Sequence, residues 1–274
     1  MLRLSDCVEN YDEVKQSQHN LKKTTLTGGR MASKTLRRLM EDAPRGQPLD
    51  TEMLGDMGVS PALTTYMVKS GWLQRLSKGA YLLAGDSPSR DGIIAYLSRR
   101  VPGLHVGGKT ALDWQGVRHN LSFRGKVVLW ARRPYEIPTW VEGYMRYSFQ
   151  TSNIFDDGLP YETGLKSLPN GNPHVLVSVP ERALLELASD IGKGQSIEEA
   201  KNLMASLRNI RPSVLEQFMT HCKRVKVLRL VRDLGRSSEY PWGTDLQRYV
   251  DRLGAGKRWS NVNKNGERLT LNSK

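Results

Sequence analysis

Between residues 50 and 83 the spacing of apolar positions changes twice, and each change predicts a different element. Met53, Leu54 and Met57 recur at helical spacing behind Asp50, whose carboxylate suits a helix cap. Ser60 and Pro61 then read as the cap and first position of a second helix, which Gly71 closes after about ten residues. Leu63, Tyr66 and Met67 are assigned to its apolar stripe, leaving Thr64, Thr65 and Lys69 on the opposite side. Gln74-Arg75-Leu76 and Tyr81-Leu82-Leu83 flank Ser77-Lys78-Gly79, where glycine suits the positive φ of a tight hairpin. Helix, turn, helix and basic hairpin is the order of a winged helix-turn-helix, a module that lays its second helix in the major groove of DNA.

Downstream the periods lengthen into a larger body. Turn residues over 85–90 predict a linker, and Asp91 is the expected cap of a helix carrying Ile94, Leu97 and Val101. A short helix is expected from Gly108 to Gln115, followed by strands at Val127–Ala131, Tyr144–Phe149 and Val175–Ser178. From Pro180 onward the spacing is helical. Leu184, Leu187, Ala188 and Ile191 share a face, and Ser196 with Glu199 forms a capping box before Ala200, Leu203, Met204 and Leu207. Two further helices carry Leu215, Phe218, Met219 and Cys222, then Val227, Leu228, Val231 and Leu234. The expected architecture is α+β: a winged helix-turn-helix over 31–84, a linker over 85–90, and a second α+β domain over 91–274 with a small sheet early and helices late. Residues 1–30 are polar, end in Thr27-Gly28-Gly29-Arg30, and are expected to be a weakly ordered extension ahead of a start-like Met31-Ala32-Ser33.

Composition narrows the function. The 274 residues exceed the roughly 60–90 of one winged helix and favour two domains. The net charge of +13 and pI near 9.8 favour a polyanionic partner. Two distant cysteines, Cys7 and Cys222, predict no disulfide framework, and neither a membrane span nor a signal-peptide core is legible, so a cytoplasmic protein is expected. Charge is uneven: 31–84 holds seven basic and five acidic residues, 151–220 six and nine, and 221–274 thirteen and five. Small hydroxyls beside cations suit phosphates and base edges, so Ser60, Thr64, Thr65, Lys69, Arg75, Ser77 and Lys78 are the expected DNA-binding residues, with Thr64 and Thr65 toward the bases.

Catalysis, metal and cofactor find little support. Gly103-Leu104-His105-Val106-Gly107-Gly108-Lys109-Thr110 matches G-x-x-x-x-G-K-[ST], the phosphate-binding loop. Yet a basic helix end and Pro102 precede it where a buried strand is needed, so a tightly packed helix start with a solvated Lys109 is expected. His19, His105, His119, His174 and His221 lack metal-ligand spacing. Cys222 lies on the apolar stripe with Phe218, and Asp156, Asp157 and Glu162 sit among turn residues in a solvated loop. A winged-helix-targeted nuclease or nucleotide-dependent enzyme is the alternative reading.

Several segments together resemble one family. Trp72-Leu73-x-Arg75-Leu76-x-x-Gly79-x-Tyr81-x-Leu83, His105 to Leu112, Val179 to Glu186, Cys222 to Leu230, Pro241-Trp242 and Leu253 to Arg258 occur in the order seen in AbiEi antitoxins, the regulatory half of bacterial abortive-infection toxin–antitoxin operons. The resemblance spans about 34–274 and does not reach residues 1–30. It implies a non-enzymatic repressor that binds operator DNA, with inverted repeats, at its own operon. It further implies neutralisation of a cognate nucleotidyltransferase toxin, lodged mainly in the C-terminal domain. On that footing Lys223, Arg224, Lys226, Arg229 and Arg232 are expected to form either a toxin-docking surface or additional phosphate contacts. A plain DNA-binding regulator without a toxin is the remaining alternative.

Overall fold

The computed structural model describes residues 34–117, 125–254, 259–262, 266 and 268–271. The 1–30 extension, Met31-Ala32-Ser33, Cys7, His19, His119 and the 255–258 end of the last family segment lie outside them. The chain is α+β and divides into two compact units between Pro88 and Ser89.

In the first unit, helix α1 (34–42) leads to strand β1 (Leu49–Asp50) and helix α2 (Thr51–Asp56), which Asp50 caps by accepting from the Met53 N–H at 2.8 Å. Helix α3 (Pro61–Lys69) starts at Ser60 and ends at Gly71, whose φ of +78° is the left-handed turn that glycine adopts without strain. Strands β2 (Leu73–Ser77) and β3 (Ala80–Leu83) follow and pair antiparallel, with β1 added on the far side of β3. An irregularity between Arg75 and Ser77 offsets the edge strand β2, a device that discourages further strand pairing. Leu39, Ala43, Leu49, Leu54, Val59, Met67, Leu73 and Leu83 form the core, drawn from every element.

The second unit opens with helix α4 (Arg90–Ser98). Its cap is Ser89, which accepts from the Gly92 N–H at 3.0 Å, and not Asp91, which sits inside the first turn. Ser89 and Arg90, expected in the linker, therefore begin this unit, because a serine at the cap leaves aspartate free to face the helix's positive end. Strand β4 (His105–Val106), helix α5 (Gly108–Trp114), β5 (Val127–Trp130), β6 (Tyr147–Gln150), β7 (Leu165–Ser167) and β8 (Leu176–Ser178) build a five-stranded mixed sheet in the order β6-β5-β4-β8-β7. Helix α6 (Pro180–Asp190) packs against α5 and is buried along nearly its whole length. Helices α7 (Ile197–Ser206), α8 (Pro212–His221), α9 (Val225–Ser237), α10 (Pro241–Asp245) and α11 (Gln247–Arg252) follow, with α9 meeting α6, α7, α10 and α11. The second unit does not end in helices as expected: strands β9 (Trp259–Val262) and β10 (Arg268–Leu271) pair as a terminal hairpin.

Candidate functional site

The face built by α3 and the following hairpin carries most of the expected contact residues. Ser60 Oγ accepts from the Leu63 N–H at 3.3 Å, so its side chain is committed to the helix start. Thr65 is exposed, with its hydroxyl donating to the Pro61 carbonyl at 3.0 Å. Lys69, Arg75 and Lys78 stand in solvent, while Ser77 is half-buried and its carbonyl accepts from Arg75 Nε at 3.3 Å. Residues 57–84 contain these three cations and no acidic residue, because all five acidic residues of 31–84 fall before position 57. The modest net charge of the segment thus conceals a surface without anions, a signal already present in the sequence.

Thr64 corrects the expected facing of α3. It is only 6% exposed, and its hydroxyl donates to the Ser60 carbonyl at 3.0 Å, whereas Tyr66 is 62% exposed. Thr64 lies one turn before the buried Met67 and on the same side, while Tyr66 is about 200° away around the axis. A threonine can be buried here because the preceding turn satisfies its hydroxyl.

The C-terminal cations do not form one surface. Lys223 is exposed, but Arg224 Nη1 donates to Ser189 Oγ at 3.0 Å and Lys226 Nζ to the Ile191 carbonyl at 2.5 Å. Both therefore serve the end of α6, where helix carbonyls lack partners and cations are favoured. Burial, with Arg224 and Lys193 nearby, pulls the Lys226 ammonium down to about 8. Arg229 is 5% exposed, which corrects its assignment to a surface: α9 is enclosed by four neighbouring helices. Arg232 is held by Asp233 at 2.7 Å and by Gln247 at 2.9 Å. Asp190, at the same junction, is buried with its Oδ1 unpartnered, and burial pushes its carboxyl up to about 7.

A buried charge network lies deeper in the second unit. Glu186 accepts from Arg182 Nε at 2.9 Å, Ser178 Oγ at 2.8 Å and the Gly108 N–H at 3.0 Å, and its Oε1 lies 3.0 Å from His105 Nε2. Burial alone would raise this carboxyl, but the His105 ring and the Arg182 guanidinium hold it down at about 2. Arg182 also donates to the Tyr161 and Thr163 carbonyls. Glu181, the neighbouring residue, takes the Arg211 guanidinium and backbone N–H at 2.8–2.9 Å and so fixes the start of α8. Sequence reasoning assigned none of these residues a role. The available signal was a set of charges, Glu181, Arg182, Glu186 and Asp190, on a helix whose other residues apart from Ser189 are apolar.

This network also explains the phosphate-loop motif. Its glycines and Lys109 surround no exposed cradle: the helix start of α5 already points its Gly108 N–H at an anion, the Glu186 carboxylate. A Cβ on Gly107 would fall on that carboxylate and 2.6 Å from Trp130 Cδ1. Lys109 is not simply solvated, as expected, but pairs with Glu199 of α7, and burial lowers its pKa. Glu199 is drawn to Lys109 and Gln195, while its own N–H donates to Ser196 Oγ at 3.1 Å as one half of the expected capping box. Cys222 is buried and its thiol is pushed up to about 11 by burial, the opposite of an activated nucleophile. Asp156 is exposed and held low by its hydrogen bond with His221 at 2.8 Å. Among the described residues, no three His, Cys, Asp or Glu side chains are placed to hold a metal ion. No helix among them is long and apolar enough to cross a membrane.

Residues 32–123 match the family model of the N-terminal domain of AbiEi antitoxin transcriptional regulators, and residues 124–272 match the model of the AbiEi antitoxin, a transcriptional regulator of type IV toxin–antitoxin systems. The first match runs past the division at Pro88, through α4 and α5. No curated protein matches the chain. Among solved structures, the RV2827C protein of Mycobacterium tuberculosis is similar in fold, with a TM-score of 0.52 at 15% identity over 83% of this chain and 87% of that one.

Proposed function

From the premise that the chain belongs to the AbiEi family of antitoxin transcriptional regulators, we propose that its first unit is a winged helix-turn-helix that binds double-stranded operator DNA at its own operon, using α3 and the β2–β3 hairpin. The observation that carries this reading is the acid-free face over 57–84, where Lys69, Arg75 and Lys78 project into solvent while Ser60 holds the helix start. The second unit neutralises a cognate nucleotidyltransferase toxin, and the protein works in the cytoplasm without a catalytic site or cofactor. Lys223 is the exposed member of the C-terminal basic group available to such a partner.

Titration of the full chain against its upstream duplex at several salt concentrations tests the DNA assignment. Lys69→Ala, Arg75→Ala and Lys78→Ala combined should weaken binding and lower the salt slope by about one for each phosphate that a removed cation neutralised. Unchanged binding by the folded triple variant would place the interface elsewhere. Cellular rescue from the toxin by residues 89–274, with promoter repression abolished, tests the division of labour. Rescue by 31–88 alone would reverse it.

A further inference from the structure

Base reading requires side chains that leave the helix and still have uncommitted donors, acceptors or apolar surface. On α3 most candidates meet that requirement only in part. Thr64 is buried and its hydroxyl is engaged by the Ser60 carbonyl. Thr65 and Ser70 donate their hydroxyl protons to the Pro61 and Tyr66 carbonyls, which leaves each a short side chain that can only accept. Lys69 is a flexible point charge that suits phosphate better than a base edge.

Tyr66 is different. It is the bulkiest side chain on the outer face, is 62% exposed, and its phenol has no hydrogen-bond partner among the described residues. Its position lies one turn before Lys69, so the ring and the cation share one side of the helix. Nothing in the first unit's core needs it, since that core closes over Met67, Leu73 and Leu83. Resting on the DNA-binding reading above, we propose that Tyr66 is the residue through which α3 discriminates DNA sequence. Its ring offers apolar contact to a thymine methyl, and its hydroxyl offers one donor and acceptor to a base edge. Lys69 and the hairpin cations then position the helix by holding phosphates.

The test uses the full chain and a duplex enriched by it from a random pool, compared with a scrambled duplex of the same length. Tyr66→Ala should reduce the preference for the enriched duplex by about tenfold or more and leave the salt slope unchanged. Tyr66→Phe should retain the part carried by the ring and give an intermediate preference. Lys69→Ala should weaken both duplexes alike. A Tyr66→Ala protein with the wild-type melting temperature and a preference within about twofold of wild type would overturn the proposal. If the Lys69, Arg75 and Lys78 triple variant loses binding in the same experiment, only the Tyr66 assignment falls. If the triple variant binds as wild type does, the interface itself has been misplaced.

Discussion

On α3 and the β2–β3 hairpin, Lys69, Arg75 and Lys78 stand outside a purely apolar core; at the start of α9, Arg224, Lys226 and Arg229 are turned into the fold. The second region is far richer in basic residues, yet more of its cations do structural work. The difference follows from what each region packs against. The first unit is small and its helices end in solvent or on their own caps, so its described cations can stay outside. The second buries nearly all of α6, and the free carbonyls at that helix's end and the carboxylates along it take up cations, from the helix itself as Glu186 does with Arg182 or from elsewhere in the chain as Glu181 does with Arg211. A count of charge along a sequence therefore predicts a polyanion-binding surface only where no buried helix competes for the same side chains.

Glu186 separates the two regions by the largest margin. Glu186→Gln removes the charge that compensates Arg182 in a dry interior and should destabilise the second unit by about 3–5 kcal/mol in urea unfolding. Arg75→Ala, by contrast, should shift stability by no more than about 0.5 kcal/mol. Equal small effects would show that the buried network is not structural.

Asp190 should give the next largest change, and one that depends on pH. Its native pKa, raised from 3.8 to about 7, means the unfolded chain ionises first, so this group lowers stability as pH rises from about 4 to about 7 and its full cost persists above that. Asp190→Asn should abolish that decline and gain on the order of 4 kcal/mol at pH 8 relative to pH 4, measured as the difference between the two proteins' unfolding free energies. Parallel profiles for the two proteins would refute the assignment of Asp190 as an ionised burden on the α6–α9 junction.

Gly107→Ala isolates the packing reason for the glycine-rich motif. Its backbone has φ of −131°, which any residue adopts, so only space is at issue. Overpacking against Glu186 and Trp130 should cost about 1–3 kcal/mol without any nucleotide present. A folded variant of unchanged stability would remove that reading. Lys109→Ala should have the smallest effect, about 0–1 kcal/mol for a half-exposed ion pair. Saturable, magnesium-dependent nucleotide binding that disappears in this variant would instead restore the phosphate loop.

Much of the local structure was legible. The Asp50 and Ser60 caps, the Gly71 stop, the Gly79 turn and the helices opened by Pro180 and Ser196 all lie where spacing and cap chemistry place them. Strands β4 and β7 were missed because two or three residues carry no detectable period, and β9 with β10 because their chain lies beyond the last apolar helix. The candidate interface was legible in its cations, and the lack of acidic residues over 57–84 would have strengthened it. Thr64 and Tyr66 exchanged places for a different reason: tyrosine reads as apolar and threonine as polar, although either can sit on either side of a helix.

The order of short motifs identifies the family, and the residue pattern alone places most of the long helices and several of their caps. Those are short-range matters, settled by backbone geometry within a few residues. Which polar groups face inward depends largely on contacts between segments far apart in the chain. Thr64 is buried because the Ser60 carbonyl satisfies it, half-buried Lys226 turns inward because the end of α6 accepts from it, and Glu186 is buried because His105 and Ser178 reach it from two strands and Arg182 from one turn back on its own helix. The free energy of burying a polar or charged group depends on partners that lie up to 81 positions away, as His105 does from Glu186, and that dependence cannot be read from either residue's neighbours along the chain.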